Sequence, residues 1–411
     1  MTRKFGLFGK FLFNIKDNFL LSSLLLAALI FFKPVNISAQ NTFTKVGQWG
    51  WGPTYNLAAN GNYAYIGNGY LLQVLDVSDP ANPKIAGELL TSSLVFTVTL
   101  SGNYIYTTSP FRIIDVSNPA NPILVSTYNL PSGFPPSSAV TVEGNYAYVG
   151  DYAGNIYIID VSNPSNPQTL GQMRFPSDGV ISIAVKDTVL YANFIDSPGI
   201  DAFDISNPSS PSSIGLFGNN IGGLLTTSGK YLCNGAGIYL VMYDISNPAN
   251  PNYITELAID RLGGYVNHIS IADTIAYVTL ASDRFAAVDI ANENNIHIIS
   301  YLNNPFDAPG LETAGEAVNF PYAYIATDDG MWTVNAANPE LMSSVSFFPT
   351  GGYVNKMTVD SSYHAYLAEL SAGLRILDFS DPAAPKLVGY YLTNEQVIDV
   401  AVSGGYAYVR L

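Results

Sequence analysis

Few residues of this sequence have the types and spacing that catalysis or metal binding requires. The three histidines, His268, His297 and His364, are far apart, and no two of them have the spacing of metal ligands. No Gly-x-Ser-x-Gly motif supplies a serine nucleophile that could act with His268. The sequence also lacks a phosphate-binding glycine loop with a lysine. We therefore expect no catalytic residue, no metal and no cofactor.

Residue types that suit binding occur in a duplicated segment. "GGYVNHI" (263–269) recurs as "GGYVNKM" (351–357). Tyrosine offers a large contact face with a polar tip, and asparagine donates and accepts hydrogen bonds at once. Two acids from segments that enter other repeat units, Asp178 and Asp399, complete the predicted ligand site, which also contains Tyr265, Asn267, His268, Tyr353, Asn355 and Lys356. The alternative is that two related units share glycines needed for turn geometry.

An internal repeat determines where these candidates lie. The segment "RIIDVSNPANPILV" (112–125) joins two apolar runs through an acid and an Asn-Pro loop, and related segments recur every 39–46 residues. An acid at this point can accept N–H bonds from the turn that follows. We therefore interpret the repeated acids as structural. They are Asp76, Asp115, Asp160, Asp204, Asp244, Asp289 and Asp378, with Asn335 in the remaining copy.

A second phrase, such as "EGNYAYVG" (143–150), precedes each loop, and its residue types alternate with the two-residue period of a β-strand. Each unit thus predicts four antiparallel strands every 40–45 residues, which is typical of a propeller blade. We predict an all-β propeller of eight blades, with seven or nine as alternatives, whose N- and C-terminal strands close the ring. Cys233 replaces a tyrosine of this phrase, which predicts a buried structural thiol.

The phrases "IIDVSNPANP" and "GNYAYV" resemble LVIVD repeats, and the resemblance covers roughly residues 43–411. It implies a β-propeller of the kind found in exported bacterial and archaeal proteins. It implies no particular ligand or reaction, because the family has no well-defined common one.

The N-terminus has the pattern of a secretory signal peptide over residues 1–39. Basic residues precede an uncharged run of 14 residues, Phe19 to Phe32, and small residues ending at Ala39 form a cleavage site. The run is short for a membrane span, although a retained anchor is the alternative. We expect residues 40–411 to form one secreted or surface-exposed propeller domain, monomeric and without a transmembrane span. The end at residue 411, directly after a second strand, also permits a longer chain.

Residues 40–411 are strongly acidic, with 12 of the 17 Lys and Arg residues and 31 of the 32 Asp and Glu residues. This charge disfavours nucleic acids and anionic membranes as partners. Our hypothesis is a non-catalytic scaffold that binds an extracellular protein or glycan. One alternative is a polysaccharide hydrolase or lyase, which would need a pair of carboxyl groups from Asp178, Glu316 and Asp399 across the channel mouth. Another is a structural surface-layer element.

Overall fold

A computed structural model describes residues 52–411 of the protein, apart from residues 109, 132–135, 176–178, 219–222, 283, 306–312, 328–329, 361, 371, 382–384, 394–395 and 404. The described chain forms eight four-stranded antiparallel sheets and one two-stranded sheet. Strands within each sheet follow in chain order. The helical segments described are two 3-10 turns, Asp260–Leu262 and Pro339–Leu341. Over these residues, no helix has the length and apolar character to cross a membrane.

The eight complete sheets share the same meander, and their strand bounds are as follows. Sheet 1 contains β1 (Thr54–Asn60), β2 (Tyr63–Asn68), β3 (Leu71–Asp76) and β4 (Lys84–Leu90). Sheet 2 contains β5 (Thr99–Ser101), β6 (Tyr104–Thr107), β7 (Phe111–Asp115) and β8 (Ile123–Tyr128). Sheet 3 contains β9 (Pro136–Glu143), β10 (Tyr146–Asp151), β11 (Asn155–Asp160) and β12 (Gln168–Arg174). Sheet 4 contains β13 (Val180–Lys186), β14 (Val189–Phe194), β15 (Ile200–Asp204) and β16 (Ser212–Phe217).

The second half of the chain continues the pattern. Sheet 5 contains β17 (Leu224–Ser228), β18 (Tyr231–Ala236), β19 (Tyr239–Asp244) and β20 (Asn252–Ala258). Sheet 6 contains β21 (Val266–Ala272), β22 (Ile275–Leu280), β23 (Arg284–Asp289) and β24 (His297–Asn303). Sheet 7 contains β25 (Thr313–Asn319), β26 (Tyr322–Thr327), β27 (Gly330–Asn335) and β28 (Ser343–Pro349). Sheet 8 contains β29 (Lys356–Val359), β30 (His364–Ala368), β31 (Leu374–Asp378) and β32 (Lys386–Tyr391), and the terminal hairpin contains β33 (Asp399–Ser403) and β34 (Tyr406–Arg410).

The repeated acid, or Asn335 in sheet 7, ends the third strand of each four-stranded sheet and organises the loop after it. The Asp115 Oδ1 atom accepts the Ser117 N–H at 2.8 Å. The N–H of Val116 donates to the Asn103 carbonyl oxygen at 2.9 Å, which ties the loop to the hairpin between the first two strands. The same side-chain bond recurs in the other seven sheets, where the acceptors are Asp76, Asp160, Asp204, Asp244, Asp289, Asn335 and Asp378.

Seven of the eight sheets form a closed ring. Each first strand contacts the next from β1 to β25, and β25 then contacts β1. A side-chain hydrogen bond between neighbouring sheets shows that the contact of sheet 7 with sheet 1 is of the same kind as the contact of sheet 2 with sheet 3. Ser126 of sheet 2 donates to the Pro164 carbonyl of sheet 3, and Ser346 of sheet 7 donates in the same way to the Pro80 carbonyl of sheet 1. Sheet 1 therefore occupies the position of a next blade against sheet 7.

Sheet 8 and the terminal hairpin lie outside this ring. β29 contacts β33, and Leu374 packs with Val400 of the hairpin. Within the ring, a Cβ added at Gly87 would come within 2.3 Å of the Pro119 carbonyl of the following sheet. At the corresponding Gly389 of sheet 8, the nearest atom would be 4.0 Å away. No described loop of a following blade covers sheet 8 there.

The predicted architecture of four-stranded antiparallel blades is confirmed, and eight complete sheets are present. The closure differs from the one predicted, because sheets 7 and 1 meet directly instead of the terminal strands sharing a blade. The physical reason is that the repeats present similar faces. Leu57 and Ile66 of sheet 1 pack against Tyr324 and Met331 of sheet 7 as a successor sheet would. The ring itself thus corresponds to the seven-bladed alternative. The N-terminal strand that was expected to help close the ring, before residue 52, lies outside the described residues.

Candidate functional site

The central channel of the ring is lined by residues of its seven first strands and the loops beside them. Its volume is about 820 Å³, within the range of small-ligand sites. More of its exposed wall is polar than apolar, and none of the described lining residues is a lysine or an arginine. The polar side chains of the wall are those of Asn56, Asn60, Thr97, Thr99, Thr141, Ser182, Asn267, His268, Ser270 and Glu316.

Glu316 departs from the pattern that the other repeats follow at its position. It lies on the first strand of sheet 7 and pairs with Ile325, the residue that follows the second tyrosine of the second strand. We call this position of a first strand the inner slot. In seven of the other first strands the inner slot holds Leu57, Val140, Ile183, Leu225, Ile269, Met357 and Val400. In sheet 2 the register of β5, continued by one residue, puts the buried Val98 at this position. Ile269 shows where the slot faces, since it packs against Cys233 and Leu240 of the preceding sheet. The Glu316 carboxyl group is therefore at the interface between sheets 6 and 7.

His268 of sheet 6 is the polar neighbour of Glu316. Glu316 is only 3 % exposed. The His268 Nδ1 and Glu316 Oε1 atoms are 3.7 Å apart, too far for a hydrogen bond. Neither carboxyl oxygen nor this Nδ1 has a hydrogen-bond partner among the described residues. Because burying such groups without partners costs stability, folding alone does not explain this pair.

The first duplicated segment leads the chain into the channel wall. Gly264 has φ +81°, and a Cβ there would come within 2.7 Å of the Ser282 backbone nitrogen, so glycine is required. The turn exposes Tyr265 at 65 %. It then leads into β21, whose Asn267 and His268 line the channel.

The other predicted ligand residues are not brought to this wall. They are Tyr353, Asn355, Lys356 and Asp399, which belong to sheet 8, the segment before it and the terminal hairpin. The Asn355 side chain instead donates to the Ile398 carbonyl at 2.6 Å. Asp178 lies outside the described residues. The structure thus unites Asn267 and His268 with Glu316, and separates them from the second duplicated segment.

Several other titratable groups have structural partners. The backbone N–H of His364 donates a hydrogen bond to the Asp360 carboxyl group. This bond is the main cause that lowers the pKa of Asp360 to about 2. Glu369 accepts from Arg375 Nε at 2.7 Å, while burial raises the pKa of Glu369. Burial also raises the pKa of the Cys233 thiol to about 12, which makes it unreactive at neutral pH.

Comparison with known proteins supports the repeat and the fold. The model of the LVIVD repeat matches residues 51–91, 95–130, 137–174, 191–217, 225–257, 351–393 and 396–410. Residues 258–350 are not matched, although they form two regular sheets. No curated protein sequence matches the chain.

Two solved structures are similar to this one at low sequence identity. Sqt1 from Saccharomyces cerevisiae is 11 % identical, with a TM-score of 0.51, and the alignment covers 83 % of this chain and 96 % of Sqt1. BamB from Moraxella catarrhalis is 16 % identical, with a TM-score of 0.45, and the alignment covers 68 % of this chain and 82 % of BamB. At such identities the likeness to Sqt1 concerns the fold alone.

Proposed function

This chain belongs to the LVIVD-repeat family, and from that premise we propose that it is a secreted or surface-displayed, non-catalytic scaffold that binds a glycan chain in its channel. The observation that carries the proposal is the polar channel wall built by seven first strands. Fold alone leaves function open, so the proposal depends on the side chains that line this wall.

The chemistry of the wall favours a glycan over a protein segment. Hydroxyl groups such as those of Thr141 and Ser270, on β9 and β21, can each donate and accept a hydrogen bond. Sugar hydroxyls have the same dual character. A cavity of about 820 Å³ suits a few sugar rings better than a folded partner.

The hydrolase or lyase alternative needs two carboxyl groups near one bond of the substrate. In a glycosidase these groups are roughly 5–9.5 Å apart. Among the described lining residues Glu316 is the one acid. Asp399 is in the terminal hairpin. The third candidate acid, Asp178, lies outside the described residues. Incubation of any glycan ligand with the protein, followed by analysis for cleavage products, tests the alternative.

A glycan and peptide array probed with the chain, followed by titration of the hits, tests the proposed function. Thr141→Val and Ser270→Ala each remove one hydroxyl from the channel wall, and each should weaken binding about threefold to tenfold, the scale of one hydrogen bond. Tyr353→Ala is the control, because this exposed side chain precedes sheet 8, outside the ring. Equal affinity of all three variants for the hits would contradict a channel site, and hits confined to peptides would favour a protein ligand.

A further inference from the structure

The contact between His268 and Glu316 presents two ligand types that divalent transition metals bind. Zinc is held in proteins by imidazole nitrogens and carboxylate oxygens. The His268 Nδ1 atom and both Glu316 carboxyl oxygens lack hydrogen-bond partners among the described residues. Their lone pairs are therefore available to an ion at the interface between sheets 6 and 7.

The distance between these atoms suits a bridging ion. Bonds of about 2.0–2.2 Å from zinc to nitrogen and oxygen place the two ligand atoms roughly 3.4 Å apart at a tetrahedral angle. The observed separation is 3.7 Å, which corresponds to an angle of about 120° with the same bond lengths. An ion can thus bind both atoms without a change in the register of β21 or β25.

The position of Glu316 in the repeat supports a role as a metal ligand more than a role in packing. Glu316 occupies an inner slot that is apolar in the other first strands, and local departures from a repeat pattern are expected at functional sites. The described lining residues contain no lysine or arginine that could neutralise it. Both residues lie at the channel wall, where the His268 side chain is partly exposed and the Glu316 carboxyl group is buried beside it.

We propose that His268 Nδ1 and the Glu316 carboxylate bind a divalent transition-metal ion of the zinc class in the propeller channel. The described residues contain no group of three or more His, Cys, Asp and Glu side chains that could hold a metal. Two protein ligands therefore leave the remaining coordination positions for water or for oxygen atoms of a channel ligand. Metal binding does not require the proposed glycan function, and either can fail without the other.

Isothermal titration calorimetry of the full chain with ZnCl₂, after treatment with EDTA and buffer exchange, tests the proposal. We expect one ion per chain at the channel site, and at least about tenfold weaker binding at that site in His268→Asn and in Glu316→Gln, because even loss of an outer partner of a ligand costs about tenfold. Glu316→Leu places the residue type of other repeats in the slot and serves as a second, folded variant without the carboxylate. Thermal unfolding in EDTA establishes that each variant is folded.

Two histidine variants serve as matched controls. His297→Asn changes an exposed histidine of an outer strand, and His364→Asn removes the histidine whose Nδ1 lies 3.1 Å from Asp360 Oδ2. Both should keep the channel ion. The proposal is overturned if the wild-type chain binds no Zn²⁺, if His268→Asn and Glu316→Leu bind it as tightly as the wild type, or if Mg²⁺, which prefers oxygen ligands alone, binds the site equally well.

Discussion

Replacing Glu316 by leucine should stabilise the propeller, although the residue lines the channel. In the ring, the inner slot is otherwise occupied by apolar residues that pack against the preceding sheet, as Ile269 does. A leucine there gains about 1.5–3 kcal/mol of burial. The substitution also removes a buried carboxyl group without a hydrogen-bond partner among the described residues, and leaving such a group unpaired costs about 1–3 kcal/mol.

The net gain should be smaller than the sum of these contributions, because the unfolded chain already buries part of its apolar surface. We expect Glu316→Leu to raise the free energy of unfolding by about 1–3 kcal/mol, within the range seen when buried ionic groups are replaced by apolar ones. Equilibrium urea unfolding in the presence of EDTA measures this as a higher midpoint with an unchanged slope. EDTA removes any contribution from a bound ion.

Leu225→Glu is the matched control, since it puts the acid into the inner slot of sheet 5. On β13, the first strand that precedes β17 in the ring, Ser182 occupies the position that His268 has on β21. This variant should lose at least about 2 kcal/mol, the cost of burying an unpaired polar group. A lower urea midpoint for Glu316→Leu than for the wild type would refute the reasoning, because it would show that the carboxyl group stabilises the interface between sheets 6 and 7.

Three further predictions concern the loop, the thiol and the N-terminus. Asp115→Ala should lower the free energy of unfolding by about 0.5–1 kcal/mol, since an exposed turn bond is lost, whereas Asp115→Asn should be near neutral. Hydrogen bonds from Ser117 lower the pKa of Asp115 in the folded protein. The stability that the Asp115 carboxylate adds is therefore present above the ordinary carboxyl pKa and is lost as the pH falls through the lowered pKa of the folded state. Urea midpoints at pH 7 and in acid test both statements, and equal midpoints for Asp115→Ala and wild type at pH 7 would contradict them. Cys233 should react with iodoacetamide only in urea, and labelling of the native protein, read by mass spectrometry, would contradict its burial. N-terminal sequencing of the exported protein should find cleavage near Ala39, and a membrane-bound product that begins at Met1 would show a retained anchor.

Much of the fold could be predicted from the sequence because it is encoded locally. Asp115 and the prolines after it specify a turn within a few residues, and the period of the tyrosine phrase specifies a strand. No short segment of the sequence specifies how the ring closes. It depends on how many similar sheets fit around one channel before sheet 1 can pack against Tyr324 of sheet 7.

The candidate site was only partly predictable, for the same reason. The sequence singled out His268 and Glu316 separately, one through a duplicated segment and the other as a possible catalytic acid. Their proximity follows from the order of first strands around the ring, which also leaves Tyr353 and Lys356 outside the site. Alignment of the strand registers across repeats would have revealed Glu316, because its position is apolar in the other first strands.

The central claim is that the polar wall of the channel is the functional site. The most direct measurement is a glycan and peptide array probed in parallel with the wild-type chain and with a double variant, Thr141→Val with Ser270→Ala, which removes two hydroxyl groups from the wall. We predict that glycan hits of the wild type are lost or weakened at least about tenfold with the double variant, since each hydroxyl group contributes about threefold to tenfold. An unchanged set of hits at unchanged affinity would show that ligands bind elsewhere.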